Sequence, residues 1–458
     1  MSVDWRSHRF VQALSPAAAS RFIRGRPMLR QLLGNGVWRV GDTVFRMGLG
    51  LLVSVFVARY LHPTGFGLIS FAGAMATLVT AIAQFGMQTV VVRELIRRPQ
   101  ERPAILGSAL VLRLLAGAVS IVLALGGTWL LRPGDYRALE VVFIVSAVAL
   151  PRSWDVVDYD YQARIQARSV VIARNIGFVA FALLRVLLVL VSAPLEAFAL
   201  AITGEQVLAT MLMIRLWRVD GLTVKVRSAT RRELHDLVVN TWPLVIAGLS
   251  MVVYMRIDQI MLASMIGDAG VGLFSAAVKI SEALYFIPVA AIATAAPVFT
   301  AAHQRSQAEY ARHMLRVMRI LVWLAIAVAA ILACFSHFII LTLYGPSYAP
   351  AAGVLSIHAW IYVLVSLNCC GNQWLLDKGY FHCNMYQTLG GAVINIALNL
   401  TLIPRFGIIG AAIASFAGQF ASVLLMAAVL PKTRPLFRLQ LASFLPVDVR
   451  WPFTRLSG

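Results

Sequence analysis

Stretches of about 20 apolar residues recur along the whole chain, each long enough to cross a hydrocarbon layer of roughly 30 Å as a helix. The pattern predicts about twelve spans, at 37–59, 66–90, 105–130, 138–153, 169–191, 195–216, 238–265, 270–298, 315–343, 350–374, 384–403 and 407–430. Polar residues gather between these stretches, and no long polar segment remains to build a separate soluble domain. The expected fold is all-α, an integral membrane bundle whose outer face meets lipid.

The polar segments alternate in charge. With the N-terminus placed in the cytoplasm, the inner side collects Arg21, Arg24, Arg26, Arg93, Arg97, Arg98, Arg102, Arg152, Arg164, Arg168, Arg305, Arg312, Lys378, Lys432 and Arg434. The outer side keeps little beyond Arg59, Arg132, Arg137 and Arg405. Such a bias orients a membrane protein and predicts an even number of spans with both termini cytoplasmic. The basic loop "RLWRVDGLTVKVRSATRRELHD" at 215–236 then divides the bundle into two lobes of six. The expected organisation is a basic tail at 1–35, an N-lobe at 36–217, a linker at 218–236, a C-lobe at 237–430 and a cytoplasmic or interfacial tail at 431–458.

The two lobes share a motif. "LHPTGFGLISFA" at 61–72 and "IGDAGVGLFSAA" at 266–277 match Gly65, Gly67, Leu68, Ser70 and Ala72 with Gly270, Gly272, Leu273, Ser275 and Ala277. Each copy follows the first span of its lobe. Six spans return the chain to its starting side, so the repeat is parallel, an arrangement typical of transporters. The glycines are expected to allow a tight outer turn, and the small residues to let the next helix pack closely.

Composition adds three exclusions. With 60% hydrophobic and 13% charged residues among 458, the chain is not an ordinary soluble protein, which is nearer one quarter charged. The net charge of +20 sits in alternate loops, as orientation requires, and not in a nucleic-acid-binding patch. Cys334, Cys369, Cys370 and Cys383 have neither zinc-site nor redox spacing, so no metal or cofactor is expected. The polar, Arg-rich start does not read as a cleavable signal, and the first span is expected to act as an uncleaved anchor.

Three segments carry a family resemblance. "VARYLHPTGFGLISFA" at 57–72, the stretch from Arg256 to Phe299 and "VINIALNLTLIPRFGIIGAAIASFAGQF" at 393–420 resemble the first and second, seventh and eighth, and eleventh and twelfth helices of Wzx-type flippases. These belong to the polysaccharide transporter family of the multidrug/oligosaccharidyl-lipid/polysaccharide (MOP) exporters. The resemblance implies a MATE-like fold of two lobes, a central cavity and alternating access in a bacterial cytoplasmic (inner) membrane. It also implies a substrate, a polyprenyl-diphosphate-linked oligosaccharide, with H+ or Na+ as coupling ion and polysaccharide polymerase machinery as a neighbour.

Moving a diphosphate through oil requires fixed cations that replace its lost water, and Arg binds two of its oxygens at once. Ionisable residues deep in helices are therefore the candidates. The basic ones are Arg46, Arg113, Arg256 and Lys279, expected to bind substrate; the acidic ones are Asp42, Glu205, Asp258 and Glu282, expected to couple the ion. Asp42 and Arg46 lie on one face of the first span with Arg39, which is expected to snorkel, as are Arg174 and Arg185 near span ends. Asp258 is expected near the outer surface, within reach of water. Asn395 and Asn399, at i and i+4, are expected to join helices. Pro243, Pro288 and Pro297 are candidate kinks.

The competing expectation is a drug–cation antiporter of the same superfamily, whose cavity would be acidic and aromatic. An enzyme, a membrane glycosyltransferase or polymerase, has only "DYD" at 158–160 in its favour, a pattern that arises easily by chance.

Overall fold

The computed structural model describes residues 27–84, 86–222 and 226–445. Residues 1–26 of the predicted tail at 1–35, residues 446–458 of the one at 431–458, and the side chains of Arg39, Asp42, Pro243 and Pro297 lie outside the described residues. Among the described residues the structure is helices and turns, without strands.

The first half contains α1 (Pro27–Gln84), α2 (Met87–Arg97), α3 (Arg102–Leu131), α4 (Tyr136–Ser146), α5 (Ala149–Arg152), α6 (Val156–Ala163), α7 (Ala167–Leu190) and α8 (Leu195–Val219). The second contains α9 (Arg231–Met265), α10 (Asp268–Glu282), α11 (Phe286–Arg305), α12 (Gln307–Cys334), α13 (Ser336–Tyr344), α14 (Ala351–His358), α15 (Ile361–Asp377), α16 (Phe381–Phe420), α17 (Met426–Val429) and α18 (Arg434–Ser443).

Eight stretches among the described residues are long and apolar enough to cross a membrane. Two of them, Phe45–Ala81 and His382–Val429, are pairs of helices joined at kinks at His62 and Gly407. Ten of the twelve expected spans overlap these eight stretches, and those at 138–153 and 238–265 do not. The fourth, at 138–153, is broken into α4 and α5, with Pro151 inside α5, where it cannot donate a backbone hydrogen bond. The eighth is broken between Glu282 and Phe286, just ahead of Pro288.

The apolar core has a revealing distribution. One cluster is shared by both halves and includes Phe66, Phe71 and Met75 from the first and Ile260, Phe274, Tyr344 and Tyr348 from the second. It surrounds the repeated motif. Away from that end the core divides. Met87, Ile105, Tyr161 and Trp217 form a cluster of the first half, joined by Leu237 from the start of α9. Phe299, Met314, Leu367 and Leu436 form one of the second. Two bodies that share a core at one end and keep separate cores at the other leave room between them.

The motif copies themselves make the shared contact. A side chain built on Gly67 would fall on the carbonyl of Asp268 and within 2.8 Å of the Gly272 nitrogen. One built on Gly272 would fall on the carbonyl of Pro63 and within 3.1 Å of the Gly67 nitrogen. Equivalent residues of the repeat thus meet each other, the signature of a pseudo-two-fold axis between them. The expected turn role of the glycines needs correction. Gly65, Gly67, Gly270 and Gly272 lie inside helices, and the turns fall earlier, at His62 (φ 56°) and Gly267 (φ 86°).

Polar bonds reinforce this end. Arg132 of α3 forks onto Asp268 of α10 at 2.6 and 3.1 Å, and also meets Asp135 at 2.7 Å. Tyr348 donates to the Ala58 carbonyl at 2.8 Å, and Arg59 donates to the carbonyls of Thr342 and Leu343. At the opposite end the halves are tied where the second one begins. Thr230 caps α9, and Glu233 in its first turn receives a two-pronged bond from Arg98 at 2.7 and 3.1 Å. That bond holds the Arg98 guanidinium protonated, its pKa raised above the usual arginine value.

Candidate functional site

Lys279 lies in the last turns of α10, eleven residues from its start, and so about 16 Å below the motif end. It is surrounded by protein at that depth, yet its side chain is open to solvent. A side chain both deep and open lines an internal hollow. Its ammonium donates to Ser54 of α1 at 2.9 Å and sits 4.6 Å from the Phe66 ring, so it bridges the two halves. Among the described residues it makes no ion pair.

Other charges face the same space. In the second half, Arg256 of α9 lies 3.7 Å from Glu282, one helical turn beyond Lys279. In the first half, Glu205 of α8 sits between Arg46 of α1 at 3.3 Å and Arg185 of α7 at 2.8 Å. Arg46 is also stacked 4.6 Å over Phe178 and donates to the Arg174 carbonyl at 3.3 Å. Arg185 and Arg256 lie within electrostatic reach of Lys279 from opposite halves. Among the described residues, Arg46, Arg185, Arg256 and Lys279 thus face Glu205 and Glu282, four cations against two carboxylates, and all the ion-paired members are partly exposed. Chemically this is a cationic lining, open to solvent, suited to an anion carrying several oxygens.

The polysaccharide biosynthesis protein family model matches residues 32–303. The chain belongs to that family. The MatE family model matches residues 243–401. The solved structure of the lipid II flippase MurJ in an inward closed conformation is similar, with a TM-score of 0.72 and 14% identity over 89% of this chain and 90% of that one. An inward-facing multidrug resistance MATE transporter of the MOP superfamily gives 0.66, with 18% identity over 90% of this chain and 96% of that one. An outward-facing MATE structure gives 0.54, with 16% identity over 91% and 96%. A curated relative, the uncharacterized membrane protein MJ1068 of Methanocaldococcus jannaschii, is 35% identical over 92 residues, 20% of this chain. The match spans only 18% of that protein's length. The chain is a multi-pass membrane protein of the polysaccharide biosynthesis protein family, with the fold that the MurJ and MATE structures share.

Several expected site residues are elsewhere. Arg113 does not line the hollow. It is 2% exposed, bonded to the Tyr159 hydroxyl, the Arg152 carbonyl (2.5 Å) and Asp155 (3.2 Å), and sealed within the first half. Asp258 is not near water. It is buried under Asn395 (3.0 Å), Asn399 and Ser415 (2.6 Å), all from the two helices of α16. The helix-joining role expected of Asn395 and Asn399 is met in that bond. Arg174 and Arg185 do not snorkel: Arg174 pairs with Asp155 at 3.2 Å and Asp158 at 3.1 Å, and Arg185 with Glu205. Asp160 of the "DYD" stretch is a buried anchor for Trp217 at 2.9 Å and for Arg102.

The sequence reading missed Arg185, Phe178 and Ser54 as lining groups. A usable signal existed for Arg185, because it stands five residues inside the end of α7, too deep for easy escape to the surface.

Proposed function

We propose that this protein flips a polyprenyl-diphosphate-linked oligosaccharide from the cytoplasmic to the outer leaflet of a bacterial cytoplasmic membrane, for polysaccharide assembly. One observation carries the reading, the excess of cations over carboxylates in the hollow around Lys279. A diphosphate fits that excess, and an organic cation is repelled by it. In this reading the chain crosses the membrane twelve times with both termini cytoplasmic, and its lobes are residues 36–217 and 237–430. The motif end is then the outer end, closed in this conformation, and the separate cores flank a cytoplasmic entry. Arg46, Arg256 and Lys279 hold the diphosphate together with Arg185, and the polysaccharide polymerase machinery receives the product.

Coupling to H+ or Na+ falls in the same reading to Asp258, whose carboxylate sits among exchangeable amide and hydroxyl partners from α16, with Asp42, Glu205 and Glu282 as further acids. Asp258 is far better enclosed than Glu282, and an ion bound there would report on the packing of the second half alone.

The test is flipping of a fluorescent polyprenyl-diphosphate oligosaccharide by the full chain in liposomes. Wild type is expected to move the probe, and Lys279→Ala to slow it about tenfold, the loss of one charge-assisted contact. An excess of ethidium should leave the rate unchanged. Unaltered flipping by Lys279→Ala, or transport of ethidium itself, would overturn the reading.

A further inference from the structure

Glu205 occupies the place that a substrate oxygen would take. Its two carboxylate oxygens face different guanidiniums, Oε1 toward Arg46 at 3.3 Å and Oε2 toward Arg185 at 2.8 Å. An anion bridging the two arginines is the geometry expected of a bound phosphate group. None of the three charges is sealed, since the side chains of Arg46, Arg185 and Glu205 are 31, 15 and 17% exposed. A ligand in the hollow can therefore reach all three.

The arginine side of the bridge does not depend on Glu205 alone. Arg46 is held independently by the Phe178 ring and by the Arg174 carbonyl. The backbone beneath Glu205 is fixed by close packing of α7 on α8 at Gly177, where any side chain would stand 3.2 Å from the Glu205 carbonyl. What remains free to move is the Glu205 side chain itself, which has several rotatable bonds and an opening beside it.

We propose that Glu205 is an internal counter-ion, a built-in competitor that an organic diphosphate must displace from Arg46 and Arg185, and that returns when the diphosphate leaves. This deepens the flippase reading and rests on it. Two bare guanidiniums would hold a diphosphate tightly and release it slowly. A tethered carboxylate weakens the bound state and helps the substrate off, and it fills the site against small cellular anions between cycles. Among the described residues the second half has no equally close bridge, and Glu282 stands 3.7 Å from Arg256. The competition is therefore assigned to the first half.

The competitor and the alternative, a carboxylate that merely positions the arginines, predict opposite signs. The experiment is calorimetric titration of the purified full chain in detergent with farnesyl diphosphate, at one pH. If Glu205 competes, Glu205→Gln binds the probe about tenfold more tightly than wild type. If Glu205 positions the arginines, the same variant binds equally or more weakly, and the proposal falls. Glu205→Asp, whose carboxylate is drawn back by one methylene, gives a second comparison should the Gln variant unfold. Tighter binding than wild type supports the competitor, and equal or weaker binding overturns it. Absence of farnesyl diphosphate binding by wild type and both variants would remove the flippase reading together with this one. Wild-type binding without a gain in either variant removes only the competitor.

Discussion

Arg113 and Lys279 are both single cations deep in apolar helices, and the structure uses them in opposite ways. Arg113 is wrapped by Tyr159, Asp155 and the Arg152 carbonyl, all from the α5–α6 region of its own half. Lys279 reaches across to Ser54 of the other half and keeps an open side. The first arrangement satisfies a charge at the expense of its accessibility; the second leaves it available to a ligand. Depth in a span makes a charge costly, and so worth explaining, but the partner's origin decides its purpose. Partners from the same half that close around a charge indicate structure. A partner across the gap, with solvent beside it, indicates binding.

The largest expected effect tests the structural side of this contrast. Arg113→Ala takes the buried partner from Tyr159 and one of two cations from Asp155, which keeps Arg174 at 3.2 Å, so the loss falls at the lower end of the range for such pairs, about 3 kcal/mol. Thermal unfolding in detergent should show a large drop in Tm for this variant. Lys279→Ala, which removes a charge that is already hydrated, should unfold within about 0.5 kcal/mol of wild type while flipping slowly. The contrast breaks if the two variants exchange behaviour, with Arg113→Ala stable and inactive and Lys279→Ala unfolded.

How much of this was legible from sequence follows from the range of each interaction. Apolar runs of spanning length and the Arg-rich loops are local patterns, and they led to an all-helical, two-lobed membrane protein. The deep charges were also visible, because hydropathy makes them conspicuous. Their directions were not. Arg46, Arg113 and Lys279 sit in helices apolar on every side, so periodicity cannot separate a face toward a hollow from a face toward a neighbour. The deciding partners are far away in the chain: Glu205 is 159 residues from Arg46, and Ser54 is 225 from Lys279. Asp258 was misplaced for the same reason, because its amide and hydroxyl partners begin 137 residues later. The repeated motif was legible as a repeat, but nothing local revealed that its copies touch.

A smaller effect tests what closes the hollow. Gly272→Ala would drive a methyl group into the Pro63 carbonyl on the opposite half. Neither backbone can give way without separating the copies, and overpacking of this kind costs about 1–3 kcal/mol. The cost falls on the conformation in which the motif ends touch, so the population should shift toward one in which they part. Spin labels at exposed Arg137 and Ile266, read by pulsed electron resonance, should report longer distances in Gly272→Ala than in wild type. An unchanged distance distribution would mean that the glycine contact does not govern closure. The open cluster around Lys279 would then owe its access to some other gate.

The smallest effect concerns the turn at which the two motif copies differ, glycine in one and histidine in the other. Gly267 turns at φ 86° and ψ −179°, a conformation open to glycine and strained for other residues. Its counterpart His62 turns at φ 56° and ψ 174°. Left-handed geometry at a non-glycine residue costs about 1–3 kcal/mol, and His62 is exposed, so no buried contact offsets it. His62→Gly relieves that strain but adds flexibility to the unfolded chain, worth about 0.5–1 kcal/mol in the other direction. The net expectation is a gain of about 1 kcal/mol, seen as a modest rise in Tm. A fall in Tm would show that the His62 side chain makes a contribution larger than the strain it bears, and that the two turns are not equivalent pivots. A rise accompanied by slower flipping would place the strain within the working cycle, since a turn that stores energy in the closed form returns it when the motif copies separate.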